Sequence, residues 1–114
     1  MGSPLILIVD DSPGVRKNLS SFLTSQGYET IECSNAVQGI ERFQEHLSSL
    51  ELVFMDVIMH GMQGPEAMNV MRNIDGAIPI VLMSGDTFDD LDAPFLQKPF
   101  GRAEVIELTR VLTS

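Results

Sequence analysis

Apolar positions fall along this chain in two rhythms. Residues 5–9, "LILIV", 52–56, "LVFMD", and 78–85, "IPIVLMSG", are nearly unbroken apolar runs, rich in branched side chains and too short for helices. Such runs read as strands buried on both faces, with Pro79 tolerable only at the start of its strand. "YETIEC", residues 28–33, alternates like a half-covered strand, and "FLQKP", residues 95–99, reads as a last short one. Between the runs the spacing changes to helical. Val15, Leu19, Phe22 and Leu23 form one stripe after Ser12-Pro13, an N-cap followed by a proline at the first helical position, and Gly27 closes it. Ala36, Ile40, Phe43 and Leu47 form a second, capped by Ser34 or Asn35. Ala67, Met68, Met71 and Ile74 form a third, opened by Gly64-Pro65, and Val105, Leu108 and Leu112 a last one, after Gly101 and Glu104.

Strands alternating with helices over short connections predict an α/β fold with a parallel sheet covered on both faces. Five strands fit a doubly wound sheet in the flavodoxin-like order 2-1-3-4-5, and a barrel needs more strands than the chain supplies. At 114 residues the expectation is a single domain over 1–114.

Charge narrows the function classes. Sixteen acidic residues against seven Lys and Arg give a net charge of −9, which disfavours direct contact with nucleic acid or an anionic membrane. No apolar run reaches membrane-span length, and no export signal opens the chain. The single cysteine, Cys33, can form no internal disulfide and reads as a small core residue. Together these point to the cytoplasm.

The chemistry sits where the buried strands end. The first run ends in Asp10 and Asp11, the third strand in Asp56, the fourth in Ser84 and the fifth in Lys98. In an open α/β sheet, sites form outside the carboxyl ends of the strands, so these five residues should converge. Three carboxylates at close range repel one another unless a cation intervenes. Oxygen donors of this kind suit Mg²⁺, and with no His or Cys among the five a zinc site is not indicated. Metal, lysine and hydroxyl together could grip the oxygens of a phosphoryl group, the usual apparatus of phosphoryl transfer. There is no Walker loop and no dinucleotide-binding glycine pattern.

With these marks the chain resembles the receiver domain of bacterial two-component response regulators. The resemblance rests on Asp10-Asp11, Asp56, Ser84 and Lys98-Pro99, with Phe95 ahead of "LQKP" and Gly64 at the start of the third helix. It implies that Asp56 accepts a phosphoryl group from a histidine kinase or phosphotransfer protein. It implies Mg²⁺ on Asp11, Asp56 and the backbone carbonyl of Ile58, with Asp10 acting mainly through water. Lys98 would pair with the acyl phosphate, Ser84 would hydrogen-bond it, Phe95 would shift in behind Ser84, and Lys98-Pro99 would be cis. The domain would not be a conventional enzyme, but would catalyse its own phosphorylation and dephosphorylation. His60 stands where the family usually has proline, and reads as a loop residue; His46 reads as a surface residue.

A second departure lies in "GDTFDDLDAP", residues 85–94. The family carries a full helix, its fourth, between the fourth and fifth strands, whereas residues 85–93 leave too little chain for one. Nine residues reach roughly 30 Å extended and so can still return along a strand of about 17–20 Å. The helix is expected to be missing or reduced to a single turn near Asp89–Leu91, with Phe88 and Leu91 folded onto the sheet and the Asp side chains in water. The acids do not follow the spacing of a calcium loop. Apolar sheet surface left beside the crossover would mark a partner surface, for a second copy of the chain or for another protein such as the parent kinase. Two function classes stay open on the residues: a phosphorylatable switch, and a non-phosphorylated pseudo-receiver that acts as a constitutive protein-interaction module.

Overall fold

Five parallel strands pair in the order β2-β1-β3-β4-β5, in a computed structural model that describes residues 3–88 and 90–114. The elements run β1 (Leu5–Val9), α1 (Pro13–Thr24), β2 (Glu29–Cys33), α2 (Ala36–Glu45), β3 (Leu50–Asp56), α3 (Gly64–Ile74), β4 (Ile80–Ser84), β5 (Phe95–Gln97) and α4 (Arg102–Thr113). This is the doubly wound, flavodoxin-like sheet that the alternation predicts.

Alternate side chains of the central strands point to opposite faces. Leu7, Val9, Val53, Met55, Ile80 and Leu82 join a core with Phe43, Ala67, Met68 and Met71 from α2 and α3. Ile6, Ile8, Leu52, Phe54, Val81 and Met83 join another with Leu19 and Leu23 of α1 and Val105 of α4. The continuous apolar runs of β1, β3 and β4 are thus consumed on both sides. Free Cys33 is buried at the end of β2, and burial pushes its thiol up from the usual range.

The helix starts are local. Ser12 Oγ accepts from Val15 N at 3.4 Å at the head of α1, and Asn35 Oδ1 accepts from Gln38 N at 2.9 Å at the head of α2. Several boundaries shift by a few residues. β4 begins after Pro79, which has no amide hydrogen for the ladder, and β5 stops at Gln97, before Pro99. β3 starts two residues earlier than its apolar run because Leu50 pairs with Leu5. α1 ends at Thr24, and Gly27, at φ 91°, turns the chain into β2. Leu47 lies past the end of α2 yet still packs on the core.

The crossover from β4 to β5 is short, as expected. Residues 85–88 and 90–94 contain no helix, and Asp89, within the turn expected at Asp89–Leu91, lies outside the described residues. Phe88, Leu91 and Ala93 pack against the α2–α3 side of the core, and Phe88 meets Phe95 of β5 edge-on at 6.3 Å between ring centroids. Asp86, Asp90 and Asp92 are exposed. The crossover's own apolar residues therefore cover part of the sheet surface beside it, and stay partly exposed themselves.

Gly64 lets α3 start directly against the end of β3. A Cβ there would stand 2.2 Å from the Asp56 carbonyl oxygen and 2.9 Å from Val57 Cα, both backbone atoms that cannot swing aside. Gly64→Ala should cost about 2–3 kcal/mol in chemical denaturation. Gly85→Ala, with nothing near its Cβ and no helix to cap, should stay within about 0.5 kcal/mol of the parent. Equal effects from the two substitutions would contradict this packing.

Candidate functional site

Strand register sets the site. Val9 lies beside Met55, Asp56 beside Met83 and Ser84 beside Gln97. Asp10, Asp56, Ser84 and Lys98 therefore leave neighbouring strands at one level. Backbone bonds extend each ladder just far enough to hold them: Asp10 N donates to Cys33 O at 3.0 Å, Val57 N to Met83 O at 2.8 Å, and Lys98 N to Ser84 O at 2.8 Å. The Lys98-Pro99 peptide is cis.

Asp10, Asp56 and Ser84 are buried, Lys98 has a side chain 20% exposed, and Asp11 faces solvent. Lys98 Nζ stands 2.7 Å from Asp10 Oδ2 and 3.2 Å from Asp56 Oδ1. Ser12 N donates to Asp10 Oδ1 at 2.9 Å. The Lys98 ammonium is the partner of Asp10 Oδ2, which has no other donor against it among the described residues. A carboxylate oxygen from each of Asp10, Asp11 and Asp56 lies within 4.8 Å of the others. Three hard oxygen donors at that spacing, with one lysine charge among them, fit a Mg²⁺ ion that keeps part of its water shell.

The pair chemistry follows from burial. Desolvation first and the neighbouring Asp10 charge second push the Asp56 carboxyl up from 3.8 to about 6, against the pull of Lys98. At Lys98, burial works against the charge, but the contacts to Asp10 and Asp56 outweigh it and hold the ammonium above its usual range. The site thus keeps its cation, while Asp56 is ionised near neutrality yet unsettled by its neighbours.

Ser84 Oγ accepts from Asp86 N at 3.1 Å, which leaves its hydroxyl hydrogen free to donate. Ile58 lies in the loop after β3 with its side chain 53% exposed, and His60 is exposed two residues on. Phe95 is half-buried on β5, among the residues that pack on the α2–α3 core. All of the residues singled out from the strand ends are thus brought to this pole. His46 differs from expectation: it caps the end of α2, half-buried, beside a cleft of about 870 Å³ at the opposite pole. Among the described residues only Asp10, Asp11 and Asp56 form a cluster of potential metal ligands, so the chemistry lies at the strands' carboxyl ends.

Two side chains, Arg16 and Gln63, matter here without having been singled out. Arg16 donates from Nη1 to the Asp10 carbonyl at 2.6 Å and pairs with Glu32 at 3.5 Å. Its signal was available: a cation near the start of a helix opposes the helix dipole and needs another reason to be there. Gln63 Oε1 accepts from Met59 N at 3.0 Å and braces the loop after Asp56. Val15, Asn18 and Phe22 of α1 form, with Lys98, Pro99 and Phe100, a mainly apolar pocket of about 290 Å³ beside the acidic cluster.

The raised carboxyl at Asp56 makes a prediction about stability. The folded state favours the protonated form, so its contribution is complete below about pH 3.8 and is lost as pH rises through about 6. In metal-free buffer Asp56→Asn should be more stable than the parent at pH 7.5 by ~1–3 kcal/mol, with the gap shrinking towards pH 4. Denaturant titrations at both pH values check this, and a gap that grows on acidification would contradict it.

This geometry has relatives. The family model for the response regulator receiver domain matches residues 6–110. The chain is 34% identical to the chemotaxis protein CheY of Bacillus subtilis, over 90% of this chain and 91% of that protein. It is 32% identical to sporulation initiation phosphotransferase F of the same organism, over 76% of this chain and 67% of that one. It also matches the sensor kinase CckA of Brucella abortus at 31% identity, but spans only 11% of that protein. Among solved structures, the receiver domain of the hybrid histidine kinase CckA superposes with a TM-score of 0.86 at 27% identity, covering 96% of this chain and 99% of that one. Vibrio cholerae CheY4 shares the fold with a TM-score of 0.89 at 22% identity, covering 97% and 99%. The chain belongs to the response regulator receiver domains, the phosphoacceptor modules of two-component signal transduction.

Proposed function

We propose that Asp56 is the phosphoacceptor of this receiver and that residues 1–114 act as one signalling unit. The observation that carries the reading is the Lys98 ammonium bridging buried Asp10 and Asp56 at 2.7 and 3.2 Å, with Asp11 alongside. An Asp56 carboxylate oxygen attacks the phosphorus of a phosphohistidine. A P–O bond forms to Asp56, the P–N bond breaks, and the imidazole leaves with the electron pair and takes a proton from solvent. Lys98 faces the phosphoryl oxygens and offsets the incoming charge. Ser84 donates its free hydroxyl hydrogen to one of them, and Phe95 moves in behind Ser84. Asp10, Asp11, Asp56 and the Ile58 carbonyl are the groups to hold Mg²⁺, with Asp10 acting mainly through water. Bound there, the ion would offset charge on the phosphoryl oxygens. Attack by water on the acyl phosphate releases inorganic phosphate and restores the carboxylate.

The donor is a histidine kinase or a phosphotransfer protein, the partners that receiver domains serve. The pseudo-receiver alternative is disfavoured because all five pocket residues are present and assembled. We infer that further contacts, including a second copy of the chain, use the crossover face, a reading supported by the partly exposed Phe88 and Leu91. The acidic surface argues against nucleic acid and anionic membrane partners, and the site of action is the cytoplasm. No helix among the described residues is long and apolar enough to cross a membrane.

Incubation with Mg²⁺ and a small acyl phosphate should give a single phosphoryl adduct by intact mass, lost in Asp56→Asn. Lys98→Ala should slow its formation roughly a hundredfold or more, the usual effect of removing a charge-stabilising donor. An adduct that persists in Asp56→Asn would place the acceptor elsewhere. In sedimentation equilibrium, self-association should strengthen with concentration, whereas a monomer at every concentration would exclude the second copy.

A further inference from the structure

Asp11 carries the exposed carboxylate of the acidic cluster, and no side chain steers it. Among the described residues that carboxylate has no hydrogen-bond or ion-pair partner. Its aim is therefore set by the main chain on either side. The peptide after Asp11 is pinned through Ser12 N, which donates to Asp10 Oδ1 at 2.9 Å. The peptide before it is pinned through the Asp10 carbonyl, which accepts from Arg16 Nη1 at 2.6 Å. Asp10 N makes the last ladder bond towards β2, to Cys33 O at 3.0 Å. The amide and carbonyl of one strand residue point the same way, so the Asp10 carbonyl also faces β2, beyond the end of its ladder. Arg16 stands there in place of a strand donor. Glu32 of β2 holds it, 3.5 Å from Arg16 Nε, and the Arg16 side chain is only 16% exposed.

We propose that Arg16 is a positioning residue for cation binding: by fixing the peptide between Asp10 and Asp11, it aims the Asp11 carboxylate at Mg²⁺. The inference rests on the reading of Asp11 as a metal-binding group. Arg16 acts on a dication in two opposed ways. As a positive charge near three carboxylates it repels the ion, although Glu32 offsets much of that charge. As a clamp on the Asp10 carbonyl it removes backbone freedom that the ion would otherwise have to remove on binding. Loss of the charge alone tightens Mg²⁺ binding, whereas loss of the clamp weakens it. The sign of the change therefore separates the two. The other pin, the Asp10 carboxylate, belongs to the cluster itself and cannot be deleted without losing an oxygen donor. Arg16 reaches the cluster through a backbone oxygen, so it can be replaced with all three acids left in place.

The test is a Mg²⁺ titration of the intact chain followed by amide NMR, for the parent, Arg16→Met, Asp11→Asn and the double variant. Amide shifts of the central strands establish that each is folded. Arg16→Met should bind Mg²⁺ about tenfold more weakly, the scale of losing a group that orients a metal ligand. Equal or tighter binding overturns the proposal. In the Asp11→Asn background the same substitution should cost nothing further, because the carboxylate it aims is already gone. A second full tenfold loss there places the effect elsewhere and overturns it too. Without metal, relaxation of the Asp11 and Ser12 amides should show added motion in Arg16→Met while the central strands stay unchanged, and unaltered order at 11–12 counts against the clamp. If Arg16→Met does not fold, Arg16→Lys takes its place. It keeps the charge but loses the planar fork that spans the carbonyl and Glu32, so weaker binding supports the clamp and unchanged binding overturns it. No Mg²⁺ binding by the parent instead overturns the reading of Asp11 on which the proposal rests.

Discussion

One ammonium group holds the working end of this molecule together. Asp10 and Asp56 are buried side by side with Asp11 close by, and Lys98 lies against the two buried carboxylates. At an effective dielectric of about 20, two like charges 4 Å apart repel by roughly 4 kcal/mol, so the cluster requires a cation. Lys98 reaches it because its backbone amide continues the ladder from β5 onto Ser84. Placement of the cation therefore depends on a strand of three residues at the edge of the sheet.

Lys98 offsets the cluster without satisfying it. Asp56 keeps a raised affinity for a proton, and one ammonium faces two buried carboxylates with a third close by. The pocket is thus predisposed towards a further positive charge and towards a group that brings its own oxygens to be held. That incomplete neutralisation is what separates a receiver's pocket from a closed structural ion pair, and it sets the folded domain's stability against its function.

The crossover shows how a fold tolerates the loss of a layer. Phe88, Leu91 and Ala93 supply part of the apolar cover that a helix would give, and Phe88 adds an edge-on contact to Phe95. The segment still has few regular backbone bonds, so its hold on the body depends on individual contacts, that of Arg72 foremost.

The sequence by itself determined the alternation of strands and helices, the doubly wound sheet and the pole where chemistry would gather. These are properties of periodicity and of where apolar runs stop, both of which are local in the chain. Asp10, Asp11, Asp56, Ser84 and Lys98 were legible for the same reason: each ends, or directly follows, a buried run. The length of the crossover was legible too, because a helix cannot be fitted into nine residues. Only the tertiary structure decided that Lys98 bridges two of the three acids, that Arg16 ties down the Asp10 carbonyl and that Gly64 abuts the end of β3. It alone decided that Arg72 holds Asp92, twenty residues away, by a backbone oxygen. Such contacts join residues far apart in the chain through distances of a few ångströms. They depend on strand register and side-chain reach, which no local pattern of apolar and polar residues encodes.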